Sequence, residues 1–472
     1  MSGARLLVSA AHKSSGKTMF SIGLCAALRA QGMLVQPFKK GPDYIDPMWL
    51  GQAAGRDCFN LDPYLSSGDE ILSSFTAAAA RADLSVVEGN KGLHDGLALD
   101  GSNSNAALAR LLGTPVLLVI DARGMTRGIA PLLLGYQAFD RGVHIAGVVL
   151  NQVGGSRHEA KLRAAVEHYT DLPVLGALGR DAQLQLDERH LGLVTSLEVD
   201  DAGSRIQRLG QRVAEQVDLA RVLELARRAG PLPQPSSATV MPLRAPASAG
   251  PLRIAIARDE AFGFYYPDDL EALRAAGAEL MPFDTLRDAR LPVADGLFIG
   301  GGFPEMFMEE LQANARLRAD IAAAIEAGLP AYAECGGLMY LARSLHWQGR
   351  SCRMVGAIPG DAVMHARPVG RGYVRLQPTA EHPWAAGGEV LAHEFHHSSL
   401  EHLPQGQRFA YRVARGHGID GAHDGLRQHN LLASYSHLRG AGWAARFVGF
   451  VRDVANRRAA GAQRATTCLR VA

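Results

Sequence analysis

Apolar residues recur along the first half of the chain in short, nearly continuous runs separated by helical or turn-rich segments. These runs are ARLLVSA, LVQPFKK, LSVVEG, TPVLLVID and HIAGVVLN, and a helical pattern from Lys17 to about Ala30 follows the first of them. Strands that are apolar throughout, with helices between them, are typical of a parallel sheet covered on both faces. The pattern therefore predicts an α/β domain in this half.

The second half repeats the alternation after a break. LRIAIARD, GLFIGGG and LPAYAEC resemble strands, DDLEALRAAG and the run near 311–327 resemble helices, and shorter strands and loops continue to Val451. The break, RAGPLPQPSSATVMPLRAPASAG, is rich in Pro, Ser and Ala and has no periodicity, which is typical of a linker. We predict a first domain over residues 1–228, a linker over 229–250, a second α/β domain over 251–455, and a flexible basic tail over 456–472.

Composition narrows the class of partner and compartment. The 472 residues carry 49 Lys and Arg against 47 Asp and Glu, so overall charge gives no reason to expect nucleic acid or an anionic membrane. The five cysteines are scattered and include no CxxC pair, which favours a reducing cytosol over a disulfide scaffold or a zinc ribbon. No stretch approaches the roughly 20 apolar residues that a membrane helix needs. We expect a cytoplasmic protein without a nucleic-acid or membrane partner.

The segment SAAHKSSGKTMF has the parts of a phosphate-binding loop. In such a loop, backbone N–H groups wrap the phosphates, a lysine (in this chain Lys17) reaches the outer phosphates, and a hydroxyl (in this chain Thr18) binds Mg²⁺. Ala11 stands where the first glycine is expected, but Ser15, Gly16 and the two chemical residues are kept, with a strand before them and a helix after them. A Ser/Gly-rich turn that contains GKT by chance is the alternative, and the context favours the phosphate loop.

Acidic and basic residues follow two further predicted strands. Glu88 ends LSVVEG, and Lys39, Asp43 and Asp46 lie within or just after LVQPFKK. Because the carboxyl ends of parallel strands meet at one edge of a sheet, we expect these side chains to lie beside the phosphate loop. Acids, a lysine and Mg²⁺ next to a nucleotide indicate phosphoryl transfer to a carboxylate. Each acid taken alone would more often be a helix cap or a surface group.

Cys335 directly follows the strand LPAYAEC and precedes two glycines and a helix. This order is typical of a nucleophile elbow, in which a tight turn exposes the thiol and backbone N–H groups stabilise an oxyanion. We expect Gly302, from FIGGGFPE, and Gly336 to supply those groups, the helix N-terminus to lower the thiol pKa, and His437 to be the general base. A buried small hydrophobe is the alternative for Cys335, and the strand-end position and glycines argue against it.

The segment HEFHH formally matches the zinc-binding HExxH pattern. That pattern needs a regular helix to bring both histidines onto one face, and the surroundings of this segment resemble strand and turn. We therefore reject a metalloprotease and keep His393, Glu394 and His396 as possible pocket residues.

Taken together, the motifs resemble the cobyrinic acid a,c-diamide synthase family. In that family a P-loop amidoligase domain related to dethiobiotin synthetase is fused to a class I glutamine amidotransferase domain. The resemblance covers nearly the whole chain except the linker and tail, and it rests on SSGKT, FKKGPDYIDP, FNLDPYL, VVEGNKGLHDG, GVVLNQVGGSRH, ERHLGL, AFGFYYPDDLEAL, GLFIGGGFPE, AYAECGGLMYL, AHEFHHSSL and ASYSHL.

The resemblance implies a mechanism with two sites. Cys335, assisted by His437, releases ammonia from glutamine through a thioester, while ATP converts an acetate carboxylate of a tetrapyrrole into an acyl phosphate that ammonia then attacks. The residues it assigns are Ser15, Gly16, Lys17, Thr18, Lys39 and Asn151 to ATP, Thr18, Asp43 and Glu88 to Mg²⁺, and Asp46 and His94 to the substrate. The ring acetates amidated are a and c, and a homodimer is possible.

Several residues depart from the usual family pattern and keep other functions open. They are Ser14, Leu50, Asn90, Lys91, His94 and Arg439. Arg439 leaves no acid two residues after His437, so the third member of the glutaminase triad is absent or comes from elsewhere. Sirohaem or a metallo-sirohydrochlorin is an alternative substrate. A partition-type ATPase, a biotin-pathway ligase and a tetrapyrrole-binding pseudoenzyme are further alternatives.

Overall fold

The structure is a computed structural model of the chain and describes residues 3–181, 188–189, 192–235, 250, 252–384 and 387–471. Two compact units are present, Met1–Val240 and Met241–Ala472. Each has its own sheets and its own hydrophobic cores.

A seven-stranded parallel sheet forms the centre of the first unit, in the order β3-β2-β4-β1-β5-β6-β7. Its strands are β1 (Ala4–Ala10), β2 (Val35–Lys40), β3 (Phe59–Leu61), β4 (Leu84–Glu88), β5 (Val116–Asp121), β6 (Ile145–Val153) and β7 (Val174–Gly179), followed by the short pair β8 (Glu188–Arg189) and β9 (Gly192–Leu193). The helices are α1 (Lys17–Ala30), α2 (Ile45–Ala54), α3 (Gly68–Ala79), α4 (Asn105–Leu112), α5 (Ile129–Phe139), α6 (Ser156–Tyr169), α7 (Ala202–Gln216) and α8 (Leu219–Arg227).

Apolar residues on one face of this sheet pack against α3, α4, α5 and α6 in a single buried cluster. On the other face α1 packs on α7, where Gly23 leaves room for the backbone of Leu209. Because both faces are covered, the strands can be apolar throughout, as their sequences predicted. Strand β4 lies between β2 and β1, and Glu88 is in register with Lys39 on one side and Val8 on the other. The strand order therefore brings the ends of β1, β2 and β4, with the segments that follow them, to one edge of the sheet.

The second unit is built on a nine-stranded sheet in the order β11-β10-β12-β13-β22-β21-β20-β17-β18. Its strands are β10 (Leu252–Ala257), β11 (Ala278–Phe283), β12 (Gly296–Ile299), β13 (Ala331–Glu334), β14 (Ser344–Trp347), β15 (Arg350–Arg353), β16 (Asp361–Met364), β17 (Gly370–Pro378), β18 (Val390–His396), β19 (Ser398–Glu401), β20 (Arg408–Arg415), β21 (His423–Gln428) and β22 (Leu431–Ser434). Strands β14, β15, β16 and β19 form a separate four-stranded sheet. The helices are α9 (Pro267–Ala275), α10 (Met308–Ala313), α11 (Ala315–Glu326), α12 (Gly336–Leu341) and α13 (Ala441–Val471), with a 3₁₀ turn at Pro304–Phe307.

The α/β class predicted for both halves is confirmed. In the second unit β10, β11, β12, β13 and β22 are parallel, and helices cover both faces in two buried clusters. Where we predicted a flexible tail over 456–472, the backbone continues helix α13 as far as Val471. Among the helices that the structure describes, none combines the length and the apolarity needed to cross a membrane.

Candidate active sites

The loop between β1 and α1 has the backbone conformation of a phosphate cradle. Gly16, the residue before α1, has φ 94°, and a Cβ atom there would lie 2.0 Å from the side-chain nitrogen of Asn151. Asn151, near the end of β6, donates from that nitrogen to the carbonyl of Ser15 at 2.9 Å. Ser14 has φ 59°, a conformation that glycine adopts more easily. Asn151, which the resemblance assigns to ATP, is thus placed against the loop backbone.

Lys17 and Ser15 both fold back onto this loop. The Lys17 ammonium is 3.4 Å from the His12 carbonyl, which also accepts a hydrogen bond from the Ser15 hydroxyl at 2.8 Å. Burial lowers the pKa of Lys17 to about 8, and the Lys39 charge acts in the same direction, while Glu88 opposes it. A bound anion would stabilise the charged form of this lysine, so its environment fits a phosphate group.

Three segments converge around the Lys39 ammonium. It donates to Asp46 and, at 2.9 Å, to Glu88, and it lies 3.8 Å from an oxygen of Asp43. The Thr18 hydroxyl donates to Glu88 at 2.6 Å and to Asp46 at 3.2 Å. Although burial would lower the pKa of Lys39, the surrounding carboxylates raise it well above its ordinary value. Burial and the Asp46 charge together raise the pKa of Asp43 to about 7.

The oxygen atoms in this cluster suit Mg²⁺ held together with a nucleotide. Glu88 is fully buried, and its Oε2 atom has no hydrogen-bond partner among the described residues. Mg²⁺ usually takes one or two protein oxygens and completes its shell with phosphates and water. Consistent with that, no group of three or more His, Cys, Asp or Glu within the described residues could hold a metal by itself. Thr18 and Glu88 therefore fit the ion as partners of a bound nucleotide.

The two residues assigned to the substrate lie in different surroundings. Asp46, in the first turn of α2, belongs to the Lys39 cluster. The His94 ring packs against the rings of Tyr136, at 5.3 Å between centroids, and Phe139, at 4.8 Å. Burial lowers the pKa of His94, and its Nε2 atom has no hydrogen-bond partner in the part of the chain that the structure describes. His94 therefore lies with the aromatic residues of α5 rather than with the carboxylates.

In the second unit, Cys335 occupies a strained turn between β13 and α12, with φ 46° and ψ −102°. The turn is possible because two glycine backbones approach one another: a Cβ atom on Gly336 would lie 2.9 Å from the backbone nitrogen of Gly302. Gly302 itself has no room for a side chain, since its Cβ would lie 1.9 Å from the Ala261 carbonyl oxygen. The two residues predicted to stabilise an oxyanion are thus brought together beside the thiol.

The environment of Cys335 corrects one prediction. We expected the helix N-terminus to lower the thiol pKa; burial instead raises it, with the Glu305 carboxylate acting in the same direction. The Gly336 N–H group opposes this but is outweighed. Helix α12 has only six residues, and the thiol is almost fully buried. The resting thiol therefore keeps its proton and needs a base to remove it.

His437 is held by an acid that the sequence analysis missed. Its Nδ1 atom lies 3.1 Å from Oε2 of Glu334, the residue directly before the nucleophile. The other Glu334 oxygen accepts from the Tyr332 hydroxyl at 2.6 Å and from the Leu438 N–H at 2.9 Å. The His437 ring also packs on the glycine turn, because a Cβ on Gly301 would lie 2.7 Å from its Cε1. The sequence signal for Glu334 was an acidic residue at the end of an otherwise apolar strand.

His393 to His396 of the HEFHH segment lie in strand β18, as the surroundings of the segment predicted, and His397 lies between β18 and β19. Residues four apart in a strand are about 13 Å apart, too far to share one zinc ion. Its histidines have other contacts: the His393 ring stacks on His437 at 4.8 Å, and the His396 ring stacks on Tyr435 at 3.8 Å. Glu394 accepts hydrogen bonds from two backbone N–H groups of the loop before β21. The Phe395 carbonyl is 3.9 Å from the Cys335 sulfur, so β18 borders the nucleophile.

Curated relatives that bear the name cobyrinate a,c-diamide synthase match the chain along nearly its whole length. The protein of Magnetococcus marinus is 48% identical over 95% of this chain and 97% of its own. That of Methanosarcina acetivorans is 42% identical over 93% of each chain, and that of Listeria monocytogenes is 39% identical over 92% and 96%.

The chain belongs to the cobyrinate a,c-diamide synthase family. Residues 7–194 match the CobQ/CobB/MinD/ParA nucleotide binding domain, and residues 253–441 match the CobB/CobQ-like glutamine amidotransferase domain. The resemblance drawn from the motifs and the fusion of the two domain types are confirmed. This member of the synthase family is therefore an ATP-using carbon–nitrogen ligase with glutamine as its nitrogen donor. A partition-type ATPase is not favoured.

Proposed function

We propose that this chain amidates the a and c acetate carboxylates of cobyrinate, using ATP and glutamine. The observation that carries the proposal is the 48% identity to a relative of that name over nearly the full length of both chains. The geometry of the two sites supports it. One contains a phosphate loop beside a cluster of acids, and the other contains a buried cysteine directly after Glu334, whose carboxylate contacts His437. Sirohaem is the alternative substrate, and product analysis distinguishes the two.

In the first site, an acetate oxygen attacks the γ-phosphorus of ATP, ADP leaves, and an acyl phosphate forms. The backbone of the loop at Gly16 and the Lys17 ammonium bind the phosphates, while Lys39 steadies the transferring group. Thr18 and Glu88 would hold Mg²⁺, with Asp43 and Asp46 close by, and the ion would offset phosphate charge. Ammonia then attacks the acyl carbon, phosphate leaves, and loss of a proton yields the amide.

In the second site, His437 accepts the Cys335 proton, and the sulfur attacks the side-chain carbonyl carbon of glutamine. The N–H groups of Gly302 and Gly336 stabilise the oxyanion, and protonation of the amide nitrogen by His437 releases ammonia. Water then hydrolyses the thioester to glutamate. Glu334 keeps His437 in the tautomer whose Nε2 atom can accept the proton, as the third acid of a triad does.

The test is mass spectrometry of the products formed with ATP, Mg²⁺ and glutamine, with cobyrinate and sirohaem supplied in separate reactions. Two successive replacements of hydroxyl by amino on cobyrinate are expected. Cys335→Ala should lose the glutamine-driven reaction and keep the ammonium-driven one, whereas Cys352→Ala, a buried cysteine on β15, should keep both. Conversion of sirohaem alone would overturn the choice of substrate, and conversion of neither would overturn the proposal.

A further inference from the structure

Lys40, the last residue of β2, is a buried cation that forms no ion pair among the described residues. Side chains alternate along a strand, so Lys40 and Lys39 leave opposite faces of the sheet. Lys39 enters the carboxylate cluster, but Lys40, which is only 3% exposed, donates to the Asn90 side-chain oxygen at 3.1 Å. Within the residues that the structure describes, this is its single hydrogen bond, and no carboxylate lies within ion-pair distance of it. At least two of its three N–H donors are thus available to a ligand.

Asn90 is held in place by Asn105. The Asn90 N–H donates to the Asn105 side-chain oxygen at 3.1 Å, and the Asn105 side-chain nitrogen donates to the carbonyls of Asn90 at 2.6 Å and Gly92 at 2.9 Å. Asn105 is fully buried, and a Cβ on Gly89 would lie 2.7 Å from it, so the turn has little freedom. With its oxygen turned to Lys40, Asn90 keeps its amino group as a donor.

Two of the three charges that act on Lys40 are those of other lysines. Burial lowers the pKa of Lys40 to about 8, and the nearby Lys91 and Lys39 charges act in the same direction, against Asp62. One Asp62 oxygen already accepts the backbone N–H groups of Tyr64 and Leu65. Lys91 is exposed, with its backbone at φ 45°. Lys40, Lys91 and the Asn90 amide group thus offer two cations and a hydrogen-bond donor, and an oxyanion bound to them would offset the burial of the Lys40 ammonium group.

We propose that Lys40, Asn90 and Lys91 form a subsite that binds a carboxylate of the tetrapyrrole other than the one being phosphorylated. This inference rests on the proposed function, since it requires a substrate with several acids around one ring. Lys40 leaves β2 on the face opposite the Lys39 cluster, so its anion is a neighbouring acid rather than the reacting one.

An ATP phosphate is the less suitable occupant. The charges that act most on Lys17, in the phosphate loop, are Lys39, Glu88, Asp46 and Asp95, whereas those that act on Lys40 are Asp62, Lys91 and Lys39. Lys40 ends β2 and Lys17 follows β1, and β4 lies between these two strands in the sheet. A subsite on this side would hold the ring while one acetate enters the phosphate loop, so it would contribute mainly to substrate binding.

Steady-state kinetics of the full chain test the subsite, with KM and kcat measured for cobyrinate and KM measured for ATP. Lys40→Met and Lys91→Ala should each raise the KM for cobyrinate, Lys40→Met by about 10- to 100-fold, as expected for loss of a charge-assisted hydrogen bond. The kcat and the KM for ATP should change less than about threefold, because a contact made equally in the ground state and the transition state affects only the KM of its own ligand. Lys161→Met, an exposed lysine on α6, is the matched control.

A substrate change paired with the variant makes the test sharper. Methyl esterification of the non-reacting acids should raise the KM of the wild-type chain, and Lys40→Met should discriminate much less between acid and ester, because the two changes remove the same contact. If Lys40→Met does not fold, Lys91→Ala and Asn90→Ala carry the test. An unchanged KM for cobyrinate, or an equal rise in the KM for ATP, would overturn the subsite. A wild-type chain inactive on cobyrinate would overturn the proposed function instead.

Discussion

At the scale of single residues, Glu334 supplies to His437 the carboxylate that the segment after His437 lacks. Two residues beyond His437 the chain has Arg439, which donates to Asp268 at 2.9 Å and lies over the Tyr266 ring. The carboxylate instead comes from the strand that ends at the nucleophile. Glu334 and His437 are both almost fully buried, so their contact is shielded from water and salt.

Glu334→Gln should lower the glutamine-driven rate by about 100-fold or more and spare the ammonium-driven rate. The amide has nearly the same size, but it can present its amino group to His437 and so favour the wrong tautomer. The ratio of the two rates is measured on one preparation. Misfolding of the second unit alone would also lower only the glutamine-driven rate, so residues 250–472 carrying Glu334→Gln should keep the cooperative thermal transition of the unchanged piece.

Glu326→Gln, at an exposed position on α11, is the matched control and should leave that ratio unchanged. Loss of the thermal transition of the second unit in Glu334→Gln would show that Glu334 supports the fold rather than the base. An unchanged ratio in a folded variant would contradict its role in orienting His437. In that case the glutaminase would work with a cysteine and a histidine alone.

The residues around the phosphate loop were easier to predict from the sequence than the acid that contacts His437. Parallel strands end at one edge, so a rule about strand ends sufficed to expect Thr18, Lys39 and Glu88 near one another, and the structure shows their contacts. The pairing of Glu334 with His437 instead depends on the neighbouring strands β13 and β22, whose order is not apparent from local pattern. The thiol pKa was predicted in the wrong direction because burial is a tertiary property.

At the scale of elements, the end of the chain shows how helix propensity can act without an apolar stripe. Trp443, Phe447 and Val451 recur every four residues and anchor the first half of α13 in the core. The remaining sequence, RRAAGAQRATTCLRV, lacks that spacing, and we therefore expected an irregular tail. It is nevertheless rich in Ala and Arg, which favour helix strongly.

The turn before Trp384 supports a prediction about pH at the same scale. His382 accepts from the Trp384 N–H at 3.2 Å and contacts the Tyr411 hydroxyl at 2.8 Å. Burial, with Arg427 and Arg446 adding to it, lowers the pKa of His382 to about 4. The unfolded chain therefore binds this proton at a higher pH than the folded chain does. Stability from this group is full above about pH 6.5 and falls as the pH drops towards 4, by at most about 3 kcal/mol.

Urea titrations of wild type and His382→Gln at several pH values between 4 and 7 measure this effect. The variant should be less stable near pH 7, where it lacks the native contacts, and its stability should decline less on acidification. His429→Asn, at an exposed turn with φ 52°, should follow the wild-type pH dependence. Parallel curves for wild type and His382→Gln would contradict the assignment.

At the scale of the whole molecule, each hydrophobic core and each candidate active site draws its residues from a single unit. The cluster under the first sheet draws its fully buried members from residues 7–177, and the two clusters of the second unit draw theirs from residues 252–451. Among the residues that the structure describes, the phosphate loop makes its contacts within the first unit, and the cysteine site makes its contacts within the second. Each unit is also of ordinary domain size, large enough to bury a core of its own.

We therefore expect residues 1–235 and 250–472 to fold when produced as separate chains. The first piece should amidate cobyrinate with ATP and ammonium but not with glutamine, and the second should hydrolyse glutamine alone, because each keeps all the groups that its own chemistry uses. Circular dichroism with a cooperative thermal transition would establish folding, and product analysis would establish activity. The first piece carrying Thr18→Ala and the second carrying Cys335→Ala are the inactive controls. A first piece that folds yet needs the second for ammonium-driven amidation would show that its site is incomplete within one unit, contrary to this division of the chemistry.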